Sequence, residues 1–261
     1  MSTAAMHVAK TGLNAQQFKM QVIANNLANV NTTGFKRDRA NFETLFYQVI
    51  KEAGAQTADD TSLTSPLAVG TGVKVVSTQK LFTQGGLVAT DNSLDLAIDG
   101  DGFFQVTNPN GGSSFTRSGS FKQDGEGNIV DASGNALLPA INVPGNNTGI
   151  RVESNGQISS HVGQQPKVAG QLQLANFQNP SGLTAAGGNL FNESAASGTP
   201  VAGNPGAGGL GKVRSGFLEG SNVDITEEIV DQIVSKVAFK ANINVIKASN
   251  EMLGSILDIK S

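Results

Sequence analysis

Apolar residues recur along the first thirty positions in steps of three and four: Met6, Ala9, Leu13, Met20, Ile23, Leu27 and Val30, broken only by the polar Gln16. That spacing predicts an amphipathic helix with a narrow apolar stripe, the width of a coiled-coil seam rather than of a broad core-facing surface. The end of the chain repeats the pattern. Val230, Val234, Val237, Ala241, Val245, Ala248, Met252, Ser255 and Ile259 step the same way, while Ile229, Ile233, Ile246, Leu253 and Leu257 widen the apolar face. Such a helix has more than one neighbour to satisfy. Its start is marked by Asp224 with Glu227 three positions on, a capping-box spacing, and by Glu228 and Asp231 in the turn where the helix dipole favours negative charge. These signals place the helix at residues 225–258.

Between the two helical ends the pattern shortens to strands: Val73 to Thr78, Leu94 to Ile98, Phe103 to Thr107, Ser114 to Thr116, Ile129 to Val130, Ile150 to Glu153 and Val168 to Phe177. The fold class expected is therefore α+β. Residues 1–45 with 217–261 form a coiled-coil-like domain of terminal helices, 46–75 an extended polar insert, and 76–216 a central all-β domain, either an irregular barrel or a sandwich.

Composition sharpens this division. All eight prolines lie between Pro66 and Pro205, and 29 of the 32 glycines lie between Gly54 and Gly220, so the centre is built from turns and the ends are not. The stretch "SAASGTPVAGNPGAGGLG", Ser194 to Gly211, has little to bury and is expected to be an exposed loop. Residues 1–40 carry five basic side chains against Asp38 and residues 217–261 carry four lysines against seven acids, opposite signs that suit neighbouring helices. The overall net charge of -3 gives no field that would draw nucleic acid. No cysteine is present, which excludes disulfides and thiolate chemistry. No segment reaches the roughly 18 apolar residues of a membrane span, and the first residues lack the layout of a secretory leader, so the expectation is a chain that either stays in the cytosol or is exported without a cleaved signal peptide.

Residues able to do catalysis are few. His7 falls in the first helix, and His161, in "ISSHVGQQP", is expected in a loop beside Ser159 and Ser160, whose sequence adjacency does not make a triad. Gly206, Gly208 and Gly211 satisfy G-x-G-x-x-G without the strand, helix and acidic residue that a dinucleotide site requires. Asp95, Asp99 and Asp101, and Asp124, Glu126 and Asp131, lack the spacing of a calcium loop and fit strand-connecting turns. The expectation is no catalytic residue, no metal, no cofactor and no enzyme.

Four asparagines, Asn25, Asn26, Asn29 and Asn31, crowd the end of the first helix, where amides are poor helix formers. Polar groups at a seam fix its register, which gives them a reason if the helices pack against further copies of the chain. A head-to-tail contact of that kind builds an open filament. The candidate assembly residues are Met6, Leu13, Met20, Ile23, Asn25, Asn26, Leu27, Asn29 and Val30 on the first helix, with Val230, Ile233, Val234, Val237, Ala241, Val245, Ala248, Met252 and Ile259 on the last.

"QVIANNLANVNTTGFKR", "DLAIDGDGFFQV", "FTRSGSFKQDGEGNIVD" and "GFLEGSNVDITEEIVDQI", in that order, resemble the shared motifs of the bacterial flagellar rod and hook proteins. The polar insert, with Gly54, Ala55, Gln56 and Pro66, resembles a stretch that confers rigidity in the distal-rod branch of that family. The resemblance implies a straight, hollow, torque-transmitting shaft that crosses the periplasm, and subunits exported unfolded through the flagellar type III apparatus. Its implied partners are other copies of the chain, proximal rod proteins and hook protein at the two ends, and surrounding ring proteins. A proximal rod or hook-like role, or a secreted β-rich binding module, are the alternatives. In "SKVAFKANINVIK" the residues Val237, Phe239, Lys240 and Asn244 depart from the family pattern, so family contacts there do not carry over.

Overall fold

A computed structural model of the chain describes residues 2–53, 56–58, 61–62, 64–108, 111–144, 149–162 and 165–258. The first helix, α1, spans Ser2–Ala28 and the last, α2, spans Ile225–Asp258, the bounds expected for α2. The Asp224 carboxylate caps α2, accepting the Thr226 N–H at 2.8 Å and the Glu227 N–H at 3.3 Å.

Chain contacts divide the molecule into two units. One comprises 1–27, 38–79 and 224–261; the other comprises 28–37 and 80–223. In the first, the helical unit, the stretch read as an extended polar insert contains paired strands. Asp38–Thr44 pairs with Val73–Lys80, and Tyr47–Lys51 pairs antiparallel with Leu67–Gly70 in the register Tyr47↔Gly70, Gln48↔Val69, Val49↔Ala68. Leu45 N–H to Gly72 O at 2.9 Å and Thr71 N–H to Phe46 O at 3.2 Å join the two pairings into one long hairpin. Thr11 ties α1 to it: its hydroxyl donates to Val8 O at 2.7 Å and accepts the Val73 N–H at 3.2 Å. Gly72, at φ +123°, lies so close to Thr11 that a Cβ there would collide with its hydroxyl.

The second unit is β-rich. Its largest sheet runs Thr184–Gly187, Leu190–Asn192, Ser113–Thr116, Phe103–Thr107, Leu174–Asn176, Val201–Gly203, with Leu137–Leu138 also on Phe103–Thr107. Adjacent Phe103 and Phe104 send their rings to opposite faces, as the period of two requires. Phe104 meets Phe121 at 5.2 Å within a core that includes Leu96, Ile98, Ile129 and Ile158. Phe103 meets Phe82, Phe177 and Phe191 in a separate aromatic cluster, where Phe115 and Phe177 lie edge-to-face at 4.7 Å. A three-stranded sheet, Gly149–Val152, Gln157–Val162 and Gln165–Gln171, and several two-stranded pairs complete the unit.

Terminal helices around a β-rich centre are thus borne out, but the described strands close into no barrel. His161 sits in a strand, not a loop, because its neighbours Ile158 and Ser160 alternate into the interior. The expected strand Val168 to Phe177 is two, broken where Leu172 N–H turns to Gly156 O at 2.8 Å. Val201–Gly203 lies inside the stretch expected to be an exposed loop, held by pairing with Leu174–Asn176.

Candidate assembly interface

α2 touches α1 with an unexpected face. The Asn26 amide donates to Glu228 Oε1 at 2.9 Å, Lys19 Nζ lies 3.1 Å from Asp231 Oδ1, and a Cβ on Gly12 would stand 2.9 Å from Asn242 Nδ2. As the α1 number falls the α2 number rises, so the helices run antiparallel. Glu228, Ser235 and Ser249 are buried on this side, a row of polar and small side chains at helical spacing.

The apolar row points elsewhere. At 100° per residue, Val230, Ile233, Val234, Val237, Val245 and Met252 lie roughly a third of a turn round from the polar row, and they remain 47–61% exposed. Ala241 and Ala248 are exposed between them. Each large side chain therefore leaves unrealised about half of the ~1.5–3 kcal/mol that its complete burial would contribute. Contiguous exposed apolar area of this kind is uncommon on a protein that stays alone in water.

On α1, Ile23 and Asn26 are buried, Met6, Leu13, Met20 and Leu27 are half-buried, and Asn25 is exposed. Asn26 is 1% exposed and uses its whole amide. Oδ1 accepts the Asp38 N–H at 2.9 Å, and Nδ2 donates to Asp38 O at 2.9 Å as well as to Glu228. It thereby fixes the end of α1 to the start of the hairpin and the first turn of α2, a register-setting role inside the subunit. Asn29 and Val30 belong to the β-rich unit, half-buried, where Asn29 Oδ1 accepts the Thr32 hydroxyl at 3.2 Å.

The hairpin adds exposed apolar residues that the periodicity of the helices could not reveal. Phe46 is 90% exposed, and Tyr47, Val49, Ile50, Leu67 and Val69 are also exposed. Their signal was present as the β-rich run "LFYQVIK" facing "PLAVG". With Val8, Ala9 and Val245, Ile50 and Val69 line an apolar cleft of about 540 Å³. Of the insert residues, Gln56 is paired with Ser62 and Pro66 is exposed, whereas Gly54 and Ala55, like Ile259 at the end of the chain, lie outside the described residues.

The acidic clusters are consumed by turns. The Asp124 carboxylate accepts the N–H groups of Glu126 and Asn128 at 2.9 and 2.7 Å, and Asp131 does the same for Ser133 and Asn135 at 2.8 and 2.9 Å. Among the described residues no group of histidine and carboxylates is placed to hold a metal, and no helix is long and apolar enough to cross a membrane.

Family models match in three places: one for flagella basal body rod proteins at residues 6–36, one for the D1 domain of flagellar hook proteins FlgE/F/G at 97–160, and one for the C-terminal region of flagellar basal body rod FlgEFG proteins at 214–259. The chain is 49% identical over 251 residues to the flagellar basal-body rod protein FlgG of Buchnera aphidicola from Acyrthosiphon pisum, covering 95% of this chain and 96% of the relative. It is 42% identical to the FlgG of Borreliella burgdorferi, covering 98% of each. The flagellar hook protein FlgE of Helicobacter pylori matches at 42% over 124 residues, only 17% of its own length. The similarity to rod proteins is end to end; that to the hook protein is partial.

Proposed function

The chain belongs to the flagellar basal-body rod protein family, a structural family without enzymatic activity, and from that membership we propose that it is a distal-rod subunit which polymerises through its terminal helices. Polymerisation buries the outward stripe of α2, Val230 to Met252, against neighbouring copies, where it completes a coiled-coil-like seam. The half-exposed apolar side chains on that stripe are the observation that carries this reading. Because the Val230 to Val237 part of the stripe lies outside the cleft beside the hairpin, a copy that docks one into the other leaves one of each free at the two ends of the assembly. Growth is then open and helical rather than closed.

In this reading the helices line a hollow shaft, and the hairpin over 38–80, with its exposed aromatic and branched residues, braces each copy against sliding. The shaft is straight and crosses the periplasm. Proximal rod proteins and hook protein meet its two ends, ring proteins surround it, and the flagellar type III export apparatus delivers its subunits.

Electron microscopy of the purified chain, concentrated until it sediments, tests the proposal. Straight tubes are expected. A chain that stays monomeric at every concentration, with both helices protected from hydrogen exchange, would sink it, and bent or supercoiled tubes would replace the distal-rod assignment with a hook-like one.

A further inference from the structure

Three charged side chains that the assembly surface does not use are buried together in the β-rich unit. Lys36 Nζ stands 2.6 Å from Glu219 Oε1, with both side chains fully excluded from solvent. The same ammonium donates to Thr83 O at 2.7 Å, and Glu219 Oε1 also accepts the Gly85 N–H at 3.0 Å. On the other side, Glu219 Oε2 lies 3.4 Å from Arg117 Nη1, which donates to Gly100 O at 2.9 Å while its guanidinium covers the Phe103 ring at 5.2 Å. Burial pushes the Lys36 ammonium below its ordinary value, and Glu219 opposes the shift. Lys36 thus depends on this one carboxylate, and Arg117 on it first and on Asp101 second.

The partners come from three distant places, "NTTGFKR", "FTRSGSF" and "GFLEGSN". Two of them are arms of the chain: residues 28–37 follow α1, and residues 217–223 precede α2. Main-chain bonds run beside the charges. Gly34 N–H donates to Glu219 O at 2.7 Å, Leu81 N–H to Arg37 O at 3.0 Å, and Gly220 N–H to Gly86 O at 2.8 Å. The Asn222 amide accepts the Arg37 N–H at 2.8 Å and donates to Leu81 O at 2.8 Å. Gly34 sits at φ +69°, where a Cβ would fall 2.5 Å from Ser118 N, so this arm lies directly on the turn that carries Arg117.

We infer that Glu219 is a positioning residue which makes the docking of the two arms conditional on each other. When 217–223 lifts away, Lys36 is left buried without its counter-charge and Arg117 keeps only the weaker pull of Asp101, and removing one partner of a buried ion pair is far costlier than replacing the whole set. When 28–37 lifts away, Glu219 loses its shortest ion pair and the Gly34 bond. The N-terminal arm is therefore held only once the C-terminal arm has arrived, so a subunit presents both helical ends or neither. This coupling belongs to the monomer and stands apart from polymer growth.

Hydrogen exchange on the full-length monomer, read segment by segment, tests it. Glu219→Gln is expected to speed exchange in residues 28–37, on the opposite arm, by on the order of a hundred-fold, with Phe103–Thr107 and Leu174–Asn176 unchanged. Lys36→Met leaves the neutral Arg117–Glu219 pair and is expected to speed exchange in 217–223 more mildly. Replacing Lys36 with Met, Arg117 with Met and Glu219 with Leu together removes every charge and is expected to restore slow exchange in both arms. If Glu219→Gln loosens only its own arm, or loosens the whole unit uniformly, the coupling is wrong. It is equally wrong if the triple variant folds yet leaves the arms as loose as Glu219→Gln does. Tubes that fail to form while the cross-arm effect holds would count against the assembly proposal alone.

Discussion

The two units dispose of their apolar residues in opposite ways. In the β-rich unit Phe103, Phe104, Phe115 and Phe121 are all sealed, and polar residues occupy the turns. In the helical unit the buried row of α2 is Glu228, Ser235 and Ser249, while its valines with Ile229 and Ile233 are exposed and the hairpin holds Phe46 and Tyr47 exposed. The β-rich unit leaves only scattered valines such as Val88, Val168 and Val201 exposed, whereas the helical unit leaves whole rows open. A unit that shows water its apolar side and keeps its polar side for itself gains from neighbours, since the exposed area contributes only when a second surface covers it.

The sharpest way to break this contrast is to charge the outward stripe. Val234→Asp with Val237→Asp should abolish tube formation, because every copy would carry the defect at each helix contact, yet leave the urea midpoint of the β-rich unit where it was. Sedimentation and denaturation on the same sample would read both. A fall in β-unit stability would mean that the two units are not energetically separate. The converse substitution, Phe115→Ala, removes a fully buried ring that packs on Phe177 at 4.7 Å. It should cost about 3–5 kcal/mol, measured by denaturation, in the β-rich unit alone.

How much of this was legible in the sequence follows from the range of each interaction. The bounds of α2 could be read because a cap, a dipole and a period are local, and Phe103–Thr107 could be read because alternation is local. The outward direction of Val230 to Met252 could not: a narrow apolar stripe says that something covers it, not whether the cover is α1 or another molecule. The pairing of 47–51 with 67–70 was missed because the run "LFYQVIK" and its partner are separated by polar residues that resemble a linker. Lys36 and Glu219 stand 183 positions apart, so only the fold brings them together. Their motifs signalled kinship without disclosing the contact.

Within the helical unit, Asn26 tests whether the internal polar face sets register. Asn26→Leu removes three hydrogen bonds and leaves the Asp38 backbone groups and Glu228 short of partners in a buried place. A loss of roughly 1–3 kcal/mol is expected, seen as faster amide exchange in the first turns of α2 and in 38–44. The outward stripe would be untouched, so tubes should still form but with a less regular helical repeat by electron microscopy. Unchanged exchange would remove Asn26 from any role in register.

The smallest effect lies in the turns of the β-rich unit. The hydrogen bond from the Asn128 main-chain N–H, foremost, with others from its side-chain amide and from the Glu126 and Gly127 N–H groups, holds the Asp124 carboxyl below its ordinary value against desolvation, which pushes it up. A carboxylate whose folded value is depressed adds stability that is fully present above the unfolded value and is lost as the pH falls through the folded one. Asp124→Asn keeps an acceptor oxygen but gives up the charge. The wild-type chain should therefore be slightly more stable than this variant at neutral pH, and the difference should vanish only in acid stronger than protonates an ordinary aspartate. Denaturation of both proteins across that range, with the Asp124 carboxyl followed by carbon NMR, measures it. A gap that widened on acidification would mean the turn is held by something other than the ionised carboxylate, and the sealed unit would then owe that turn to Gly127, whose φ of +91° suits only glycine there.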